Sequence, residues 1–409
     1  MKVAAVVSAV TVLGIAAVQA QDKPAVAPGD MGRSAKYAKS TLKPHAPKLT
    51  ETPASEIPID KLKLPKGFRI EVWASGMPGA RMMTRGDKGK LYVGTRIIGR
   101  VYEVTDRGDT RTTRIIAEKL TQPNGVAFAN GSLYVMAINK VYRYDGIEDN
   151  AGVKPVELTD KFGLPPEVHH NWKFIAFGPD KKLYVQVGAP CNICEPSDKH
   201  AQIRRYNPDG SGMEVVARGV RNTVGFDFHP KTGELWFTDN GRDWMGNGGP
   251  QDELNRVAKI GENFGFPYCH ADGIPDQDFK KPKAEACKGV TLPVALMGPH
   301  AGALGMRFYT GDMFPASYKG TIFVARRGSW NRDRLFAFDV VNVKATPEGK
   351  KANVTPFLTG FMDPKANAFW GRPVDVLQMP DGALLVSDEQ NGAILRITYS
   401  KDAGKGARK

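Results

Sequence analysis

Apolar and polar positions follow one pattern six times along the chain. In each copy, a run of alternating apolar and polar residues leads to a turn rich in Gly, Pro, Asp or Asn, and a second apolar run follows. The second runs begin at Leu91, Leu133, Leu183, Leu235, Ile322 and Leu384. Each copy predicts a β-hairpin, and no long helical periodicity interrupts the series.

The spacing of the copies predicts the fold. Their second runs start 42 to 87 residues apart, and repeats of about 40–50 residues with several short strands are typical of β-propeller blades. We therefore expect an all-β fold, a six-bladed β-propeller with four-stranded antiparallel blades, over residues 61–400. A β-sandwich is the main alternative, but it does not explain the repeats.

The ends of the chain have a different character. Residues 1–20 place Lys2 before an apolar run that ends in small residues, as in a secretory signal peptide. Residues 21–60 predict an extended N-terminal arm, and residues 401–409 predict a basic tail. No other apolar run is long enough to span a bilayer. We therefore expect an exported, periplasmic protein without a membrane span.

The chain is basic, with 57 Lys and Arg against 43 Asp and Glu and a formal net charge of +14. A basic protein could bind nucleic acid, but no nucleic-acid motif is present and export argues against that partner. Most of the excess charge is expected on solvated lysines, which affect solubility and encounter more than specific binding. Buried arginines would suit a small anionic ligand better.

The chain has four cysteines, which fit an oxidising compartment. Their positions suggest two local disulfides, between Cys191 and Cys194 and between Cys269 and Cys287. A zinc site with four thiolates is the alternative. Haem attachment would need His after Cys194, where Glu195 stands.

The fourth hairpin has polar flanks that point to a ligand site. Arg221 and Asn222 precede it, residues 238–244 (T-D-N-G-R-D-W) leave its second strand, and residues 252–255 (D-E-L-N) follow. One cationic donor beside loop oxygens suits an anionic ligand bridged by a hard cation. These residues resemble the soluble sugar dehydrogenases that use pyrroloquinoline quinone (PQQ), and most closely their sorbosone-dehydrogenase-like branch.

The resemblance implies a function and its partners. It implies a six-bladed propeller that binds PQQ and Ca²⁺ and oxidises an aldose or a sugar-like aldehyde by hydride transfer to the quinone. A periplasmic quinone or a cytochrome c would then take the electrons. The large eight-bladed alcohol dehydrogenases use PQQ with adjacent cysteines, and this chain has no such pair.

The resemblance also implies the catalytic residues. His170 lies eight residues before Gly178, at the distance of the family's general base, and a neutral imidazole can take the proton of a sugar hydroxyl. His169 stands where the family often has an acidic residue. Arg221 would donate to the quinone oxygen and stabilise negative charge there, with Asn222 beside it. The ordinary alternatives are a loop histidine and an arginine that binds backbone carbonyls.

The remaining implied residues surround the cofactor. Gly241 and Arg242 match a Gly-Pro pair whose carbonyls hold calcium, so a metal site at this loop is expected. Val374 stands where the family has a second arginine on the cofactor. The other residues that the resemblance places at the cofactor are Gln122, Asn124, His300, Arg326, Arg327 and Arg372.

Two other functions remain open. A calcium-dependent lactonase-type propeller hydrolase would centre its metal on side-chain carboxylates and Asn, without an arginine clamp. A cofactor-free binding propeller would keep the motif and lose the chemistry. Several cations and few carboxylates among the candidate residues favour an anionic cofactor.

Overall fold

The computed structural model describes residues 48–401. They form six antiparallel blades around a central channel, as predicted, and not a β-sandwich. The predicted signal peptide, the first part of the predicted arm (residues 21–47) and residues 402–409 of the predicted tail lie outside the described residues.

Short strands account for most of the regular structure. In chain order the strands are β1 (Phe68–Ala74), β2 (Ala80–Arg85), β3 (Leu91–Thr95), β4 (Val101–Asp106), β5 (Arg111–Ala117), β6 (Gly125–Ala129), β7 (Ser132–Ala137), β8 (Lys140–Asp145), β9 (Val156–Glu157), β10 (Ile175–Phe177), β11 (Leu183–Val187), β12 (Gln202–Tyr206), β13 (Glu214–Arg218), β14 (Phe226–Phe228), β15 (Leu235–Asp239), β16 (Gln251–Arg256), β17 (Glu262–Asn263), β18 (Cys269–His270), β19 (Ile274–Pro275), β20 (Ala295–Pro299), β21 (Ala303–Phe308), β22 (Ile322–Arg326), β23 (Asp339–Ala345), β24 (Ala352–Leu358), β25 (Met362–Asp363), β26 (Ala368–Phe369), β27 (Pro373–Gln378), β28 (Leu384–Asp388) and β29 (Ala393–Tyr399).

The described residues contain little helix. Two four-residue α-helices are present, α1 (Thr159–Phe162) and α2 (Lys283–Ala286). Short 3-10 helices occupy Ala54–Glu56, Ile59–Lys61 and Ala316–Tyr318. Across residues 48–401, no helix combines the length and apolar character that crossing a bilayer requires.

The blades are numbered here from the N-terminus. Blade 1 is β2–β5, blade 2 is β6–β9, blade 3 is β10–β13 with β17 as a fifth, parallel strand, and blade 4 is β14–β16 with β20. Blade 5 is β21–β24, and blade 6 is β27–β29 with β1 as its outer strand. The small hairpins β18–β19 and β25–β26 lie outside the blades.

The repeated second run forms the second strand of each blade. Every residue of β3, β11, β15 and β28 is buried, because both faces of these strands are covered by side chains of the protein. Aromatic rings fill the space between blades: Tyr92 stacks on Phe128, and Tyr184 meets Phe228 edge-on with ring centroids 4.8 Å apart.

The cysteines form the two predicted disulfides, between Cys191 and Cys194 and between Cys269 and Cys287, and the zinc alternative is excluded. The first bond closes a four-residue loop after β11. The second bond lies in the long connection between β16 and β20.

Candidate functional site

Strand pairing brings the candidate residues to one mouth of the central channel. The beginning of a blade's first strand pairs with the end of its second strand, as Ala303 does with Arg326 and Pro373 with Asp388. Loops that precede first strands and loops that follow second strands therefore meet at the same mouth of the channel. The candidate residues in these loops or strand ends are Gln122, Asn124, His170, Arg221, Asn222, Gly241, Arg242, His300, Arg326, Arg327 and Arg372.

Glu389 holds two arginines at this mouth. Its Oε1 accepts a hydrogen bond from Nη1 of Arg81 at 2.8 Å, and its Oε2 accepts one from Nε of Arg327 at 2.6 Å. Burial alone would raise the pKa of Glu389, but the charges of Arg327, Arg81 and Arg372 outweigh burial and hold that pKa below its ordinary value. The ionised carboxylate therefore fixes two guanidinium groups.

Asn124 orients Arg81. Its Oδ1 accepts from Nε of Arg81 at 2.8 Å, and its Nδ2 donates to the carbonyl of Lys173 at 2.7 Å. Both ends of the buried amide have partners inside the protein. Asn124 therefore lies at this mouth, where its amide links blade 1 to blade 3.

Arg372 lacks partners for two of its donor atoms. Its side chain is 3% exposed and lies against the rings of Phe369 and Phe338, 4.6 and 5.4 Å from their centroids. Within residues 48–401, its buried Nε and Nη2 make no hydrogen bond. Burial, and then the charge of Arg327, lowers the pKa of Arg372 to about 9. A buried cation with unused donors is the arrangement that an anion stabilises.

Arg96 is a partly exposed arginine at the same mouth and was not among the predicted residues. Its guanidinium lies 3.7 Å from the centroid of the Trp172 ring, and its Nε donates to Oε1 of Gln122 at 3.3 Å. Burial, followed by the charges of Arg81 and Arg327, lowers the pKa of Arg96 to about 9. Among the described residues, neither Arg96 nor Arg372 forms a salt bridge.

His170 has one ring nitrogen engaged and the other available. Its Nδ1 lies 3.1 Å from the carbonyl oxygen of Ala189, and because a carbonyl only accepts, Nδ1 carries the proton. Nε2 therefore keeps its lone pair. The carbonyl of Ala189 thus orients the ring, in the role that the missing acidic neighbour would have had.

The backbone of His170 is held in an unusual conformation. Its φ is 52°, in the left-handed region, and its carbonyl accepts from Nε2 of Gln186 at 2.7 Å. A Cβ at Gly188 would lie 2.2 Å from that carbonyl oxygen, so only glycine fits there. Gln122 and His300 also have left-handed backbones, with φ of 52° and 54°. Such strain tends to collect at functional sites.

Both histidines of the pair are neutral near pH 7. Burial, followed by the charges of Arg221, His169 and Arg96, lowers the pKa of His170 well below 6.5. Burial and the charges of Arg221 and Arg96 lower the pKa of His169 to about 4. The two rings lie side by side, with centroids 4.0 Å apart, and the buried Nε2 of His169 has no hydrogen-bond partner in the described part of the chain.

Arg221 differs from its predicted role because its donors are already used. Its Nε and Nη2 donate to the carbonyl and Oδ1 of Asn192 at 2.8 and 2.6 Å. Its Nη1 donates to the carbonyls of Asn240 and Gly241 at 3.1 and 2.9 Å. The ordinary alternative, an arginine that ties loop carbonyls together, describes these contacts.

Asn222 is open at one atom. Its backbone N–H donates to Asp239 at 2.6 Å and its Nδ2 donates to Oδ1 of Asn240 at 3.3 Å. Its buried Oδ1 has no hydrogen-bond partner among residues 48–401. This oxygen could accept from a ligand.

The predicted metal loop is occupied by protein contacts. The carbonyl of Gly241 accepts from Arg221, and the Gly241 N–H donates to Asp252 at 3.0 Å. The fully buried Arg242 side chain points away, to Asp276 and Asp278 at 2.8 and 2.6 Å. No group of three or more His, Cys, Asp or Glu side chains in the described ranges is arranged to hold a metal.

Buried carboxylates lie behind this loop. Asp239, Asp252 and Glu253 accept hydrogen bonds from backbone N–H groups of neighbouring loops. Burial raises the pKa of all three carboxyls. They anchor the loop through these backbone hydrogen bonds without forming a coordination site themselves.

His300 and Arg326 are the least available of the predicted cofactor neighbours. Nε2 of His300 lies 2.8 Å from the carbonyl oxygen of Gly246, and its Nδ1 lies 3.8 Å from Asp243. Arg326 forms two hydrogen bonds with Asp339, at 2.7 and 2.6 Å. Because Arg326 and Asp339 pair across β22 and β23, Arg326 is neutralised inside blade 5, whereas Arg327 reaches the Glu389 network.

A signal in the repeats identifies two residues of the site that the motifs miss. The fifth position after the start of each second run is occupied by Arg96, Ile138, Gly188, Asn240, Arg327 and Glu389. Each of these positions lies at the exit of a second strand, at the same mouth. Reading one offset across all repeats would therefore have found Arg96 and Glu389, although it would not have found Arg81.

The arrangement combines three chemical features at one mouth. A neutral histidine offers Nε2 as a proton acceptor, the buried Arg372 and the partly exposed Arg96 offer positive charge that no salt bridge within residues 48–401 neutralises, and several buried polar atoms there lack hydrogen-bond partners. Those at or beside the mouth are His169 Nε2, Trp172 Nε1, Gln186 Oε1, Asn192 Nδ2, Asn222 Oδ1, Arg372 Nε and Arg372 Nη2. Unpartnered buried polar atoms are rare in folded proteins. Their concentration here indicates a site for a polar, anionic ligand.

Comparison with known proteins identifies relatives of the chain. A family model described as TrAA12-like matches residues 62–400. The chain is 32% identical over 362 residues to an uncharacterized protein of Borreliella burgdorferi, with 86% of this chain and 94% of that protein covered. It is 23% identical over 410 residues to a pyrroloquinoline quinone-dependent sugar dehydrogenase of Hypocrea jecorina, with 83% of this chain and 90% of that enzyme covered.

A solved structure shows the same fold. The holo form of the PQQ domain of pyranose dehydrogenase from Coprinopsis cinerea matches with a TM-score of 0.68 at 18% identity, covering 82% of this chain and 97% of that domain. The architecture is thus the one found in PQQ-dependent sugar dehydrogenases. By the extent of the family match and of the bacterial relative, the chain belongs to the TrAA12-like family.

Proposed function

We propose that the protein is a PQQ- and calcium-dependent dehydrogenase that oxidises an aldose or a sugar-like aldehyde by hydride transfer. The observation that carries this proposal is the buried guanidinium of Arg372, whose Nε and Nη2 have no hydrogen-bond partner among the described residues. The TrAA12-like family membership and the sugar dehydrogenase relatives support the same conclusion.

The residues at the mouth fit PQQ. PQQ carries three carboxylates, and arginine guanidinium groups are the donors that bind carboxylates most strongly. Arg372 and Arg96 would hold carboxylates, with Arg327 beside them, while the Oδ1 of Asn222 and other unpartnered atoms would meet polar groups of the ring system. Arg96 from blade 1 would replace the family arginine that is Val374 here.

His170 would act as the general base. PQQ, when bound, supplies a quinone that accepts the hydride from the oxidised carbon. Nε2 of His170 would take the proton of the hydroxyl on that carbon, since Nδ1 already donates to Ala189. The imidazolium would keep this bond to the carbonyl, which stabilises its charge. An aldehyde would react as its hydrate, which offers the same hydroxyl and C–H pair.

Arg221 would support the reaction without donating directly to the quinone. Its guanidinium group donates four hydrogen bonds to Asn192, Asn240 and Gly241. These bonds leave no pair of N–H donors available for the quinone. Its charge would still stabilise negative charge that develops nearby, and it lowers the pKa of His170. We therefore assign it to loop positioning and electrostatic support.

Calcium fits less closely than PQQ. Side-chain ligation does not fit, because no suitable group of His, Cys, Asp or Glu occurs in residues 48–401. A calcium ion would depend on the backbone carbonyls of Gly241 and Arg242 and on oxygens of the cofactor, near the buried carboxyls of Asp239 and Asp252. The same lack of a carboxylate centre argues against the lactonase-type hydrolase.

The substrate, the electron acceptor and the cellular location belong to the same proposal. We propose a sugar aldehyde such as a sorbosone-like compound as a substrate, and a periplasmic quinone or cytochrome c as the electron acceptor. Export to the periplasm, which PQQ enzymes of this kind would need, rests on the predicted signal peptide in residues 1–20.

The test is reconstitution of purified full-length protein. PQQ is titrated into the apoprotein with and without Ca²⁺ while absorbance and protein fluorescence are recorded, and aldoses and sugar aldehydes are then added. We expect saturable PQQ binding and a substrate-dependent change to the reduced cofactor spectrum. Arg372→Gln should bind PQQ at least about 10-fold more weakly, because a charged hydrogen bond is lost.

Two results would contradict the proposal. Absence of saturable PQQ binding by the parent would exclude the cofactor. Binding without reduction by any aldose or aldehyde would leave a PQQ-binding propeller and exclude the dehydrogenase. Chelation with EGTA separates the metal from the cofactor, since an unchanged PQQ affinity would remove calcium from the proposal.

A further inference from the structure

The segment from Ala189 to Cys194, which includes the disulfide loop, contacts both predicted catalytic residues. Nearby, the carbonyl of Ala189 orients His170 at 3.1 Å, and the Ala189 N–H donates to the carbonyl of Arg221 at 2.8 Å. Asn192, inside the disulfide loop, takes two further hydrogen bonds from Arg221. No residue of this loop was predicted to belong to the site.

The side chain of Asn192 has its orientation determined by these contacts. Its Oδ1 accepts from Nη2 of Arg221 at 2.6 Å and from the backbone N–H of Asp243 at 3.0 Å. Because both partners are donors, the oxygen of the amide must occupy that position and the NH₂ group must occupy the other. Exchange of the two amide atoms would put donors against donors.

The NH₂ group of Asn192 has no hydrogen-bond partner in the part of the chain that the structure describes. The side chain is fully buried, and Nδ2 makes no hydrogen bond within residues 48–401. A buried amide donor without an acceptor is unfavourable, so it is retained where an acceptor is present for part of the protein's working cycle. The disulfide fixes the chain on both sides of Asn192, so this cost is not relieved by rotation of the loop.

We infer that Asn192 is a ligand-binding residue whose Nδ2 donates to an oxygen of the bound PQQ. This inference rests on the proposed function. It assigns two tasks to one side chain: Oδ1 positions Arg221, and Nδ2 contacts the cofactor. The disulfide between Cys191 and Cys194 holds the residue that performs both tasks.

Asn192→Asp separates the two tasks. The aspartate keeps an oxygen for Arg221 and for the Asp243 N–H, but it replaces the NH₂ donor by an oxygen that repels an anionic ligand. We expect PQQ to bind at least about 10-fold more weakly, while the thermal midpoint of the apoprotein stays the same or rises because Arg221 gains a carboxylate partner. Asn150→Asp, which adds the same charge on an exposed turn, is the control and should bind PQQ like the parent.

PQQ titration of the apoproteins decides the inference. PQQ affinity of Asn192→Asp within about twofold of the parent, less than 0.5 kcal/mol, overturns it and leaves the proposed function intact. Absence of PQQ binding by the parent overturns both. If the aspartate variant does not fold, Asn192→Ser provides the decision: its hydroxyl can still accept from Arg221 without reaching the ligand, so parent-like PQQ affinity would again overturn the inference.

Discussion

Buried arginines on the two sides of the channel mouth differ in their hydrogen bonding. Arg221, between blades 3 and 4, gives four hydrogen bonds to protein oxygens. Arg372, in blade 6, gives none from Nε or Nη2 to any described residue and lies against two phenyl rings. Both side chains are buried, with 4% and 3% exposed, and burial lowers the pKa of both. Arg221 thus has its donor atoms engaged by protein oxygens, whereas two donor atoms of Arg372 have no partner among the described residues.

The difference shows that the position of an arginine and the availability of its donor atoms are separate properties. A motif match predicts that an arginine stands at the mouth, and both arginines do. Whether its donors are free depends on which loop oxygens surround it. Among the described residues, the side formed by blades 1 and 6 has arginines, Arg96 and Arg372, that form no salt bridge. The ligand-holding cations are therefore expected on that side, and the structural cation on the other.

The largest effect is expected at the base. His170→Ala removes the proton acceptor Nε2, and loss of a positioned base slows reactions by about 10²–10⁴-fold. Substrate-dependent reduction by the PQQ-loaded protein should fall by that factor, while PQQ affinity changes little. His169→Ala is the matched control, since its ring lies beside His170 without the Ala189 contact. The reverse pattern in kcat would show that the wrong histidine was chosen.

A pair of matched substitutions tests the two arginines directly. Arg221→Met leaves the oxygens of Asn192, Asn240 and Gly241 without their donor, and loss of such a buried charge network should lower the free energy of unfolding of the apoprotein by about 3–5 kcal/mol. Arg372→Met removes an unpaired buried charge, so that free energy should stay the same or rise. PQQ affinity should nevertheless fall by about 10–100-fold in Arg372→Met.

Urea unfolding of the two apoproteins and PQQ titration of each give the four quantities needed. Similar destabilisation by both substitutions would mean that the two sides of the mouth do not differ. Unchanged PQQ affinity in Arg372→Met would mean that Arg372 does not bind PQQ and that its free donors bind another ligand.

The smallest effect is expected in the pH dependence of the reaction. The unprotonated ring of His170 is the base, and burial, Arg221, His169 and Arg96 lower its pKa well below 6.5. A lowered pKa keeps the base form as pH falls, so kcat/KM should remain constant down to pH 6.5 and decline only below it. Arg96→Gln removes one repelling charge, which raises this pKa and moves the acid limb upward by less than about one pH unit.

Profiles of kcat/KM against pH for the parent and Arg96→Gln check this prediction at saturating PQQ. A limb that stays in place or moves downward would show that Arg96 does not act on His170. Either result sharpens the comparison, because Arg96 is the residue that connects the open side of the mouth to the base.

The fold was predictable because the repeats are a local property of the chain. The second strands follow directly from the six apolar runs, and their complete burial in β3, β11, β15 and β28 explains why those runs are so apolar. The pairing of β1 with β29 was not predicted, since no local pattern indicates which distant strand completes blade 6.

The site was predictable only in part. Sequence places Arg326 and Arg327 side by side, yet cross-strand register gives one of them Asp339 and the other Glu389. The donors of Arg221 meet carbonyls of loops that are distant in sequence, and backbone carbonyls leave no signal in the residue types. Hydrogen-bond satisfaction is a property of the assembled blades, so it could not be derived from motifs.

The closure of blade 6 has a consequence for how the ring assembles. β1 pairs with β29 from Phe68↔Tyr399 to Ala74↔Ile394, and Arg81 meets Glu389 across the same junction. β1 lies near the start of the described chain and β29 near its end. Contacts between such distant segments tend to form slowly, because a long loop must close before they contribute. We therefore expect closure of the ring and assembly of the Arg81–Glu389 pair at the mouth to occur together during folding.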